Sequence, residues 1–96
     1  MVSGEPIHPG PHLAEFLAEY SISRYRAARD MDVPPRRINE IVHGKRRISA
    51  DTALRLGRYF RTTARFWLNL QAQYDLACAE KVHGREIEEN VRPIAA

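Results

Sequence analysis

Polar side chains that could read nucleic-acid bases lie close together in the middle of the chain. Arg36 and Arg37 stand at the start of a short predicted helix, and Asn39 and Glu40 follow within one turn. Arginine can donate two hydrogen bonds to guanine O6 and N7, asparagine pairs in a similar way with adenine, and glutamate accepts from cytosine N4. A proline offers only carbon atoms, which suit a thymine methyl group. The predicted base-reading residues are therefore Pro35, Arg36, Arg37, Asn39 and Glu40.

A second group of side chains could bind the phosphates that flank those bases. Ser23 precedes a predicted helix, and a helix N-terminus favours phosphate because its first N–H groups are unpaired. Phosphate contacts give affinity and salt dependence but carry little sequence information. The alternative is that these charges form only a solvated surface. The predicted phosphate contacts are Ser23, Arg24, Tyr25, Lys45, Arg46 and Arg47.

The charges are distributed unevenly along the 96 residues. The net charge is only +3. Residues 21–65 hold twelve Lys or Arg and four Asp or Glu, whereas the rest of the chain holds three and eight. A basic central segment between acidic flanks favours one positive face that binds a polyanion. A surface in which opposite charges pair with one another would give the same composition.

Catalytic and metal-binding chemistry find little support in the sequence. The four histidines, His8, His12, His43 and His83, are dispersed and do not have the spacing of a zinc site. The single cysteine, Cys78, cannot form an internal disulfide, which fits a reducing compartment. We therefore expect no catalytic residue, no metal and no cofactor.

The start of the chain does not have the features of a secretory signal. It lacks a basic stretch followed by an apolar one, and the apolar runs elsewhere are too short to span a membrane. These features predict a cytoplasmic protein that does not enter the membrane.

Apolar residues recur with helical spacing, and no alternation is long enough to predict a strand. We predict an all-α fold in which residues 1–96 form a single domain of five helices, preceded by a short arm over residues 1–10. The first helix begins near Pro11 and carries an apolar stripe of Leu13, Phe16, Leu17 and Tyr20.

Residues 23–47 have the organisation of a helix-turn-helix motif. Ser23 is predicted to cap a helix over residues 24–31, because its side-chain oxygen can accept from an unpaired N–H of the first turn. A tight turn and a second short helix follow, which is the spacing of this motif. The second helix has a polar outward face, and a major groove about 12 Å wide admits one helix.

The ends of that second helix have local sequence signals. Asp32 can take the left-handed conformation that the turn needs, at some steric cost. The helix is predicted to start at Pro34 or Pro35, where a missing N–H is tolerated, and to stop before Gly44.

The C-terminal half is predicted to contain the last two helices. Ser49 is the expected cap of the fourth. Residues 64–96 are assigned to a fifth helix and a tail, with the helix over about 64–82. Gly84 is predicted to interrupt the helical structure after this helix, and a further short helix could cover residues 86–91.

Three stretches carry a resemblance to a known family. The run VPPRRINEIVHGKRRISADTALRLGRYFRTTARFWLNLQAQYDL, residues 33–76, closely resembles the HigA-type antitoxins of the Xre/Cro-like helix-turn-helix superfamily. The run IHPGPHLAEFL, residues 7–17, resembles the opening of that family, and the final VRPIAA resembles its close. The resemblance covers nearly the whole chain.

This resemblance implies a five-helix, lambda-repressor-like domain that forms a homodimer, binds a palindromic operator and represses its own operon. It also implies tight binding to a HigB-type toxin, a ribosome-dependent endonuclease that cleaves mRNA, while the antitoxin itself is not an enzyme. Two alternatives stay open. One is a stand-alone Xre-type regulator without a toxin, and the other is a protein-interaction module that kept the fold but lost DNA binding.

Overall fold

The computed structural model describes residues 5–95, which form five α-helices and no strand. The helices are α1 (Gly10–Glu19), α2 (Arg24–Met31), α3 (Pro35–Val42), α4 (Ala50–Phe60) and α5 (Ala64–Asn90). The prediction of an all-α, five-helix fold is confirmed. Positions 1–4 of the predicted arm lie outside the described residues, and residues 5–9 precede α1 without regular structure.

Three helices begin at a hydroxyl side chain that accepts a hydrogen bond from the first turn. Ser23 Oγ accepts from the N–H of Arg26 at 3.0 Å, and Ser49 Oγ accepts from the N–H of Thr52 at 3.2 Å. Thr63 caps α5 in the same way. Each cap of this kind contributes about 1 kcal/mol to helix stability. The predicted caps at Ser23 and Ser49 are confirmed.

The turn between α2 and α3 depends on a left-handed residue, as predicted. Asp32 has φ 60° and ψ 48°, and the N–H of the following Val33 returns to the carbonyl of Ala28 at 3.0 Å. Gly44, just after α3, has φ 74°. Both residues reverse the chain abruptly, so that α3 is held between two short connections.

The core forms where the helices meet. Trp67 of α5 is fully buried, and its ring centroid lies 5.1 Å from that of Phe16 and 6.2 Å from that of Phe60. Ile38 and Ile41 are also fully buried and give α3 its inward face. The opposite face of α3 therefore points to solvent.

The start of α1 packs directly on the end of α3. A Cβ atom added to Gly10 would lie 2.3 Å from the carbonyl oxygen of Ile41 and 2.7 Å from that of Val42. Only glycine allows two backbones to approach this closely. This contact fixes the C-terminal end of α3 relative to α1.

A buried hydrogen bond connects the segment after α3 to α5. Oε1 of Gln71, a residue that is 2% exposed, accepts from the N–H of Ile48 at 2.7 Å. Nε2 of the same side chain donates to Asp75 at 3.0 Å. Gln71 thus holds the end of the connection that carries the basic residues 45–47.

Replacing Gln71 by Leu is expected to lower the free energy of unfolding by about 1–3 kcal/mol, because the buried N–H of Ile48 loses its acceptor. Urea unfolding measures this change. Gln73→Leu is the matched control, since Gln73 is exposed on the same helix, and its effect should stay within about 0.5 kcal/mol. Equal losses from the two variants would show that the buried hydrogen bond does not stabilise the fold.

Helix α5 continues without a break to Asn90, so the predicted interruption at Gly84 is wrong. A glycine inside a helix costs only about 1 kcal/mol relative to alanine. The neighbouring residues are mostly Glu, Lys and Arg, which favour helix strongly enough to offset that cost. The described part of the tail is therefore limited to residues 91–95.

The last turns of α5 extend away from the core, and the molecule measures 53 × 25 × 22 Å along its principal axes. The N-terminal arm lies against the middle of this helix. Lys81 Nζ donates to Glu5 at 2.6 Å, and the His8 ring meets the Tyr74 ring edge-on with centroids 5.0 Å apart. Over residues 5–95, no helix has both the length and the apolar character needed to cross a membrane.

Candidate nucleic-acid interface

The outward side of α3 carries the residues predicted to read bases. Pro35, Arg36 and Asn39 are exposed, and the side chain of Arg36 is 84% exposed. Arg37 and Glu40 are half-buried. We call this set of five residues the readout face. Its members share one helix, but their side chains have different partners.

Glu40 connects the readout face to the connection that follows α3. Its Oε2 accepts from Arg36 Nε at 3.0 Å, and its Oε1 accepts from Arg46 Nε at 2.8 Å. Both guanidinium groups bind through Nε, so their terminal nitrogens remain available for other acceptors. Glu40 therefore orients two arginines, and its predicted acceptance from cytosine would compete with these two bonds.

The charge state of Glu40 follows from these contacts. Hydrogen bonds from Arg46 and then from Arg36 hold the pKa of the Glu40 carboxyl below its usual range. The carboxylate is thus ionised at neutral pH, where both bonds are charge-assisted.

Asn39 is held from the other helix of the motif. Arg24, at the start of α2, donates from Nη1 to Asn39 Oδ1 at 3.1 Å. An amide oxygen has two lone pairs, so Asn39 can accept from an adenine N6 group while it keeps this bond. A residue predicted to bind phosphate and a residue predicted to read a base are thus in direct contact.

The side chain of Arg37 is hydrogen-bonded to α4. Its Nη1 donates to Asp51 Oδ2 at 2.8 Å, and Arg55 Nε donates to the same oxygen at 2.9 Å. Arg55 also donates to the carbonyl oxygens of Met31 and Asp32, at 2.8 and 3.2 Å. Arg55 thereby binds carbonyls at the end of α2 and connects the turn of the motif to α4. Base readout by Arg37 stays a prediction that requires its release from Asp51.

The three basic residues after α3, which we call the basic loop, are all exposed but do not point the same way. Lys45, Arg46 and Arg47 follow one another, yet Arg46 pairs with Glu40 whereas Arg47 Nη2 pairs with Asp75 of α5 at 2.9 Å. Salt bridges at the surface are worth little energy, so either arginine can exchange its partner for a phosphate. The phosphate role of the basic loop stays a prediction.

The structure adds residues that the sequence did not single out as part of this site. Asp51, Asp75 and Arg55 hold or orient predicted contacts from α4 and α5. The pair Arg36 and Glu40 has the i, i+4 spacing of a helical ion pair, a signal present in the sequence. Asp51 and Arg55 of α4 have the same spacing, whereas the pairs Arg37–Asp51 and Arg47–Asp75 join different elements and have no such spacing.

The chain matches a protein family and a curated relative. Residues 13–67 match the family model HTH_3, Helix-turn-helix. Virulence-associated protein I from Dichelobacter nodosus is 51% identical over 76 residues, which cover 78% of this chain and 70% of that protein.

Solved structures show the same fold along nearly the whole chain. An addiction module antidote protein of a HigA family from Coxiella burnetii is 46% identical with a TM-score of 0.92, and the match covers 95% of this chain and 100% of that chain. The antitoxin HigA of Pseudomonas aeruginosa, solved with the higBA promoter, is 49% identical with a TM-score of 0.90, again covering 95% and 100%. Both α2 and α3, with the basic loop, lie inside the region that the family model matches.

Proposed function

The chain belongs to the helix-turn-helix family HTH_3 and to the HigA antitoxins within it, and from this premise we propose that it is a sequence-specific DNA-binding protein that represses its own operon. The observation that carries the proposal is the exposed polar face of α3, set beside the basic loop on the fold of an antitoxin solved with its promoter. The family consists of DNA-binding regulators, so the proposal contains no catalytic step.

In this proposal α3 enters the major groove, where the terminal nitrogens of Arg36 and the amide of Asn39 face base edges. Ser23 and the basic loop bind the flanking phosphates. Arg24 contributes both to the phosphates and to the position of Asn39. Two copies of the chain place their α3 helices about 34 Å apart, one turn of duplex, and read a palindromic operator.

The likeness to the HigA antitoxins also points to a second partner besides DNA, a toxin. We assign the protein to a toxin–antitoxin pair in which it forms a homodimer and neutralises a HigB-type toxin that cleaves mRNA. Its place is the cytoplasm, where both its operator and ribosome-bound mRNA are found. The support for this part is the likeness to the HigA antitoxins.

The first test is a binding titration on the DNA upstream of this gene, against a scrambled duplex, at two salt concentrations. A preference of about a thousandfold or more is expected for a specific binder. The stoichiometry should be two chains per palindromic site. Equal binding to both duplexes with a steep salt dependence would reject sequence-specific repression and leave only electrostatic binding.

Replacing Lys45 or Arg46 by Ala should weaken binding to every duplex. Each phosphate contact releases counterions, so the slope of log K against log salt should fall in magnitude by about one for each variant. Arg85→Ala is the control of equal charge change, because Arg85 lies near the far end of α5 with its side chain 92% exposed. If the slope is unchanged for both basic-loop variants, the basic loop does not contact DNA phosphates.

A further inference from the structure

Helix α3 is packed unevenly against the other helices. It packs mainly on α1 and α2, whereas α4 packs mainly on α5 and α2. The C-terminal end of α3 is fixed by its close contact with Gly10, but its N-terminal end begins at Pro34 without a side-chain cap. The first turns of α3 therefore depend on side-chain contacts for their position relative to α4.

Two arginines and one carboxylate connect α3 to the end of α2 and the start of α4. Asp51 Oδ2 accepts from Arg37 Nη1 of α3 at 2.8 Å and from Arg55 Nε of its own helix at 2.9 Å. Arg55 Nη1 also donates to the carbonyl oxygens of Met31 and Asp32, at 2.8 and 3.2 Å. We call Arg37, Asp51 and Arg55 the clamp, because together they join parts of three helices.

The position of Arg37 on α3 differs from that of Arg36. Successive residues of an α-helix are about 100° apart around its axis, so Arg37 lies about 40° from the fully buried Ile41 and Arg36 lies about 140° from it. The side chain of Arg37 is 27% exposed, whereas that of Arg36 is 84% exposed. Arg37 thus lies at the edge of the buried face of α3, where it reaches α4.

Asp51 places a negative charge beside the surface that is proposed to face DNA. Hydrogen bonds from Arg55 and then from Arg37 hold the pKa of the Asp51 carboxyl below its usual range, so the group is ionised at neutral pH. Its two bonds are charge-assisted and therefore stronger than neutral ones. Without these bonds, the carboxylate would only repel phosphates. The contact therefore restrains Arg37 at some electrostatic cost to DNA binding.

We propose that the clamp positions α3 for the major groove, and that Arg37 supports operator recognition through Asp51 and not by contact with a base. The inference rests on the proposed function as an operator-binding protein. Arg37 and Asp51 are then positioning residues, which set the angle of α3 and with it the places of Arg36 and Asn39 on the bases. Arg55 in turn holds Asp51 and fixes the turn that precedes α3.

A double-mutant cycle on the full chain tests this role, with titrations on the operator and on a scrambled duplex. The variants are Arg37→Ala, Asp51→Ala and the two combined. Asp51→Ala should weaken operator binding at least about threefold although it removes a negative charge, and the preference for operator over scrambled DNA should fall by as much. When Asp51 is already Ala, Arg37→Ala should lower that preference by less than about twofold further, because the contact is already lost.

Asp75→Asn is the matched control for the loss of one negative charge. It removes the carboxylate that pairs with Arg47 at 2.9 Å, while its amide oxygen can still accept from Gln71. This variant should bind both duplexes at least as tightly as the unmodified chain does. Ion pairs at the surface contribute little to folding, so every variant should remain folded, which urea unfolding checks.

Two results on DNA would overturn the proposal. One is operator binding by Asp51→Ala that is as tight as that of the unmodified chain or tighter, since the release of Arg37 would then not harm recognition. The other is an equal loss of preference from Arg37→Ala in the presence and absence of Asp51, which would make Arg37 a base reader.

Amide hydrogen exchange of the free chain tests the clamp without DNA. Relative to Asp75→Asn, Asp51→Ala should speed exchange at least about threefold in α3 and at the N–H of Val33, which donates to the carbonyl of Ala28 at 3.0 Å. Equal exchange in the two variants would show that the clamp does not restrain α3. An unmodified chain without operator preference would reject the proposed function, and the exchange measurement would still decide whether the clamp holds the helix.

Discussion

Gly10→Ala should lower the free energy of unfolding by about 3 kcal/mol, the upper end of the usual cost of overpacking. The added methyl group would lie 2.3 Å from the carbonyl oxygen of Ile41 and 2.7 Å from that of Val42. These are backbone atoms, so the site cannot relax by rotating a side chain, and α1 and α3 have to separate. For a domain of this size the melting temperature should fall by about 12–24 °C.

Gly84→Ala is the matched control for this change, because it adds the same methyl group to a helix where only Glu80 lies within 4 Å, at 3.9 Å. Removing a glycine from the inside of a helix should raise the free energy of unfolding by about 0.5–1 kcal/mol. Thermal unfolding of the two variants should give shifts of opposite sign, because only the methyl group at Gly10 meets backbone atoms. Two shifts of the same sign would show that α1 does not press against the end of α3.

The features of the fold that could be predicted from the sequence are set by a few consecutive residues. The cap at Ser23 needs only an N–H three residues later, and the left-handed turn at Asp32 needs only a residue type that tolerates positive φ. Gly84 shows the limit of such signals. A single unfavourable residue predicts a break at this position, but the helical preference of its neighbours exceeds its cost and α5 continues.

Contacts between distant residues could not be predicted in this way. Gln71 meets Ile48 across 23 positions, and Gly10 meets Ile41 across a still longer stretch of chain. Neither contact leaves a pattern in the sequence, because a polar residue inside a helix or a glycine at its start has many other uses. They become visible only when the helices are packed.

The same distinction between local sequence patterns and contacts of distant residues applies to the candidate site. The outward face of α3 could be predicted, because Ile38 and Ile41 define the buried side and leave the other side polar. The direction of each side chain could not be predicted from the sequence. Arg37 follows Arg36 in the sequence, yet it pairs with Asp51 of α4 while Arg36 stays open to solvent. A residue's place on a helix face thus does not determine whether it is free to contact a base.

Combining Arg36→Ala with Asn39→Ala should cost about 2–6 kcal/mol of binding free energy on the operator, since each good bidentate contact contributes about 1–3 kcal/mol of discrimination. This corresponds to a loss of affinity from about thirtyfold to more than ten-thousandfold. On a scrambled duplex the loss should be far smaller, because neither residue is assigned to a phosphate. Titration of both duplexes at one salt concentration measures the difference directly.

The two single variants separate the contributions to that loss. Arg36→Ala should cost about 1–3 kcal/mol on the operator. Asn39→Ala removes the proposed base contact and also releases Arg24, whose Nη1 lies 3.1 Å from Asn39 Oδ1. The freed guanidinium can then bind phosphate, so Asn39→Ala should reduce specificity more than it reduces affinity for random DNA. Arg85→Ala again supplies the control for loss of one positive charge. Equal losses on operator and scrambled duplex would reassign Arg36 and Asn39 from base readout to phosphate binding and leave the source of specificity elsewhere on α3.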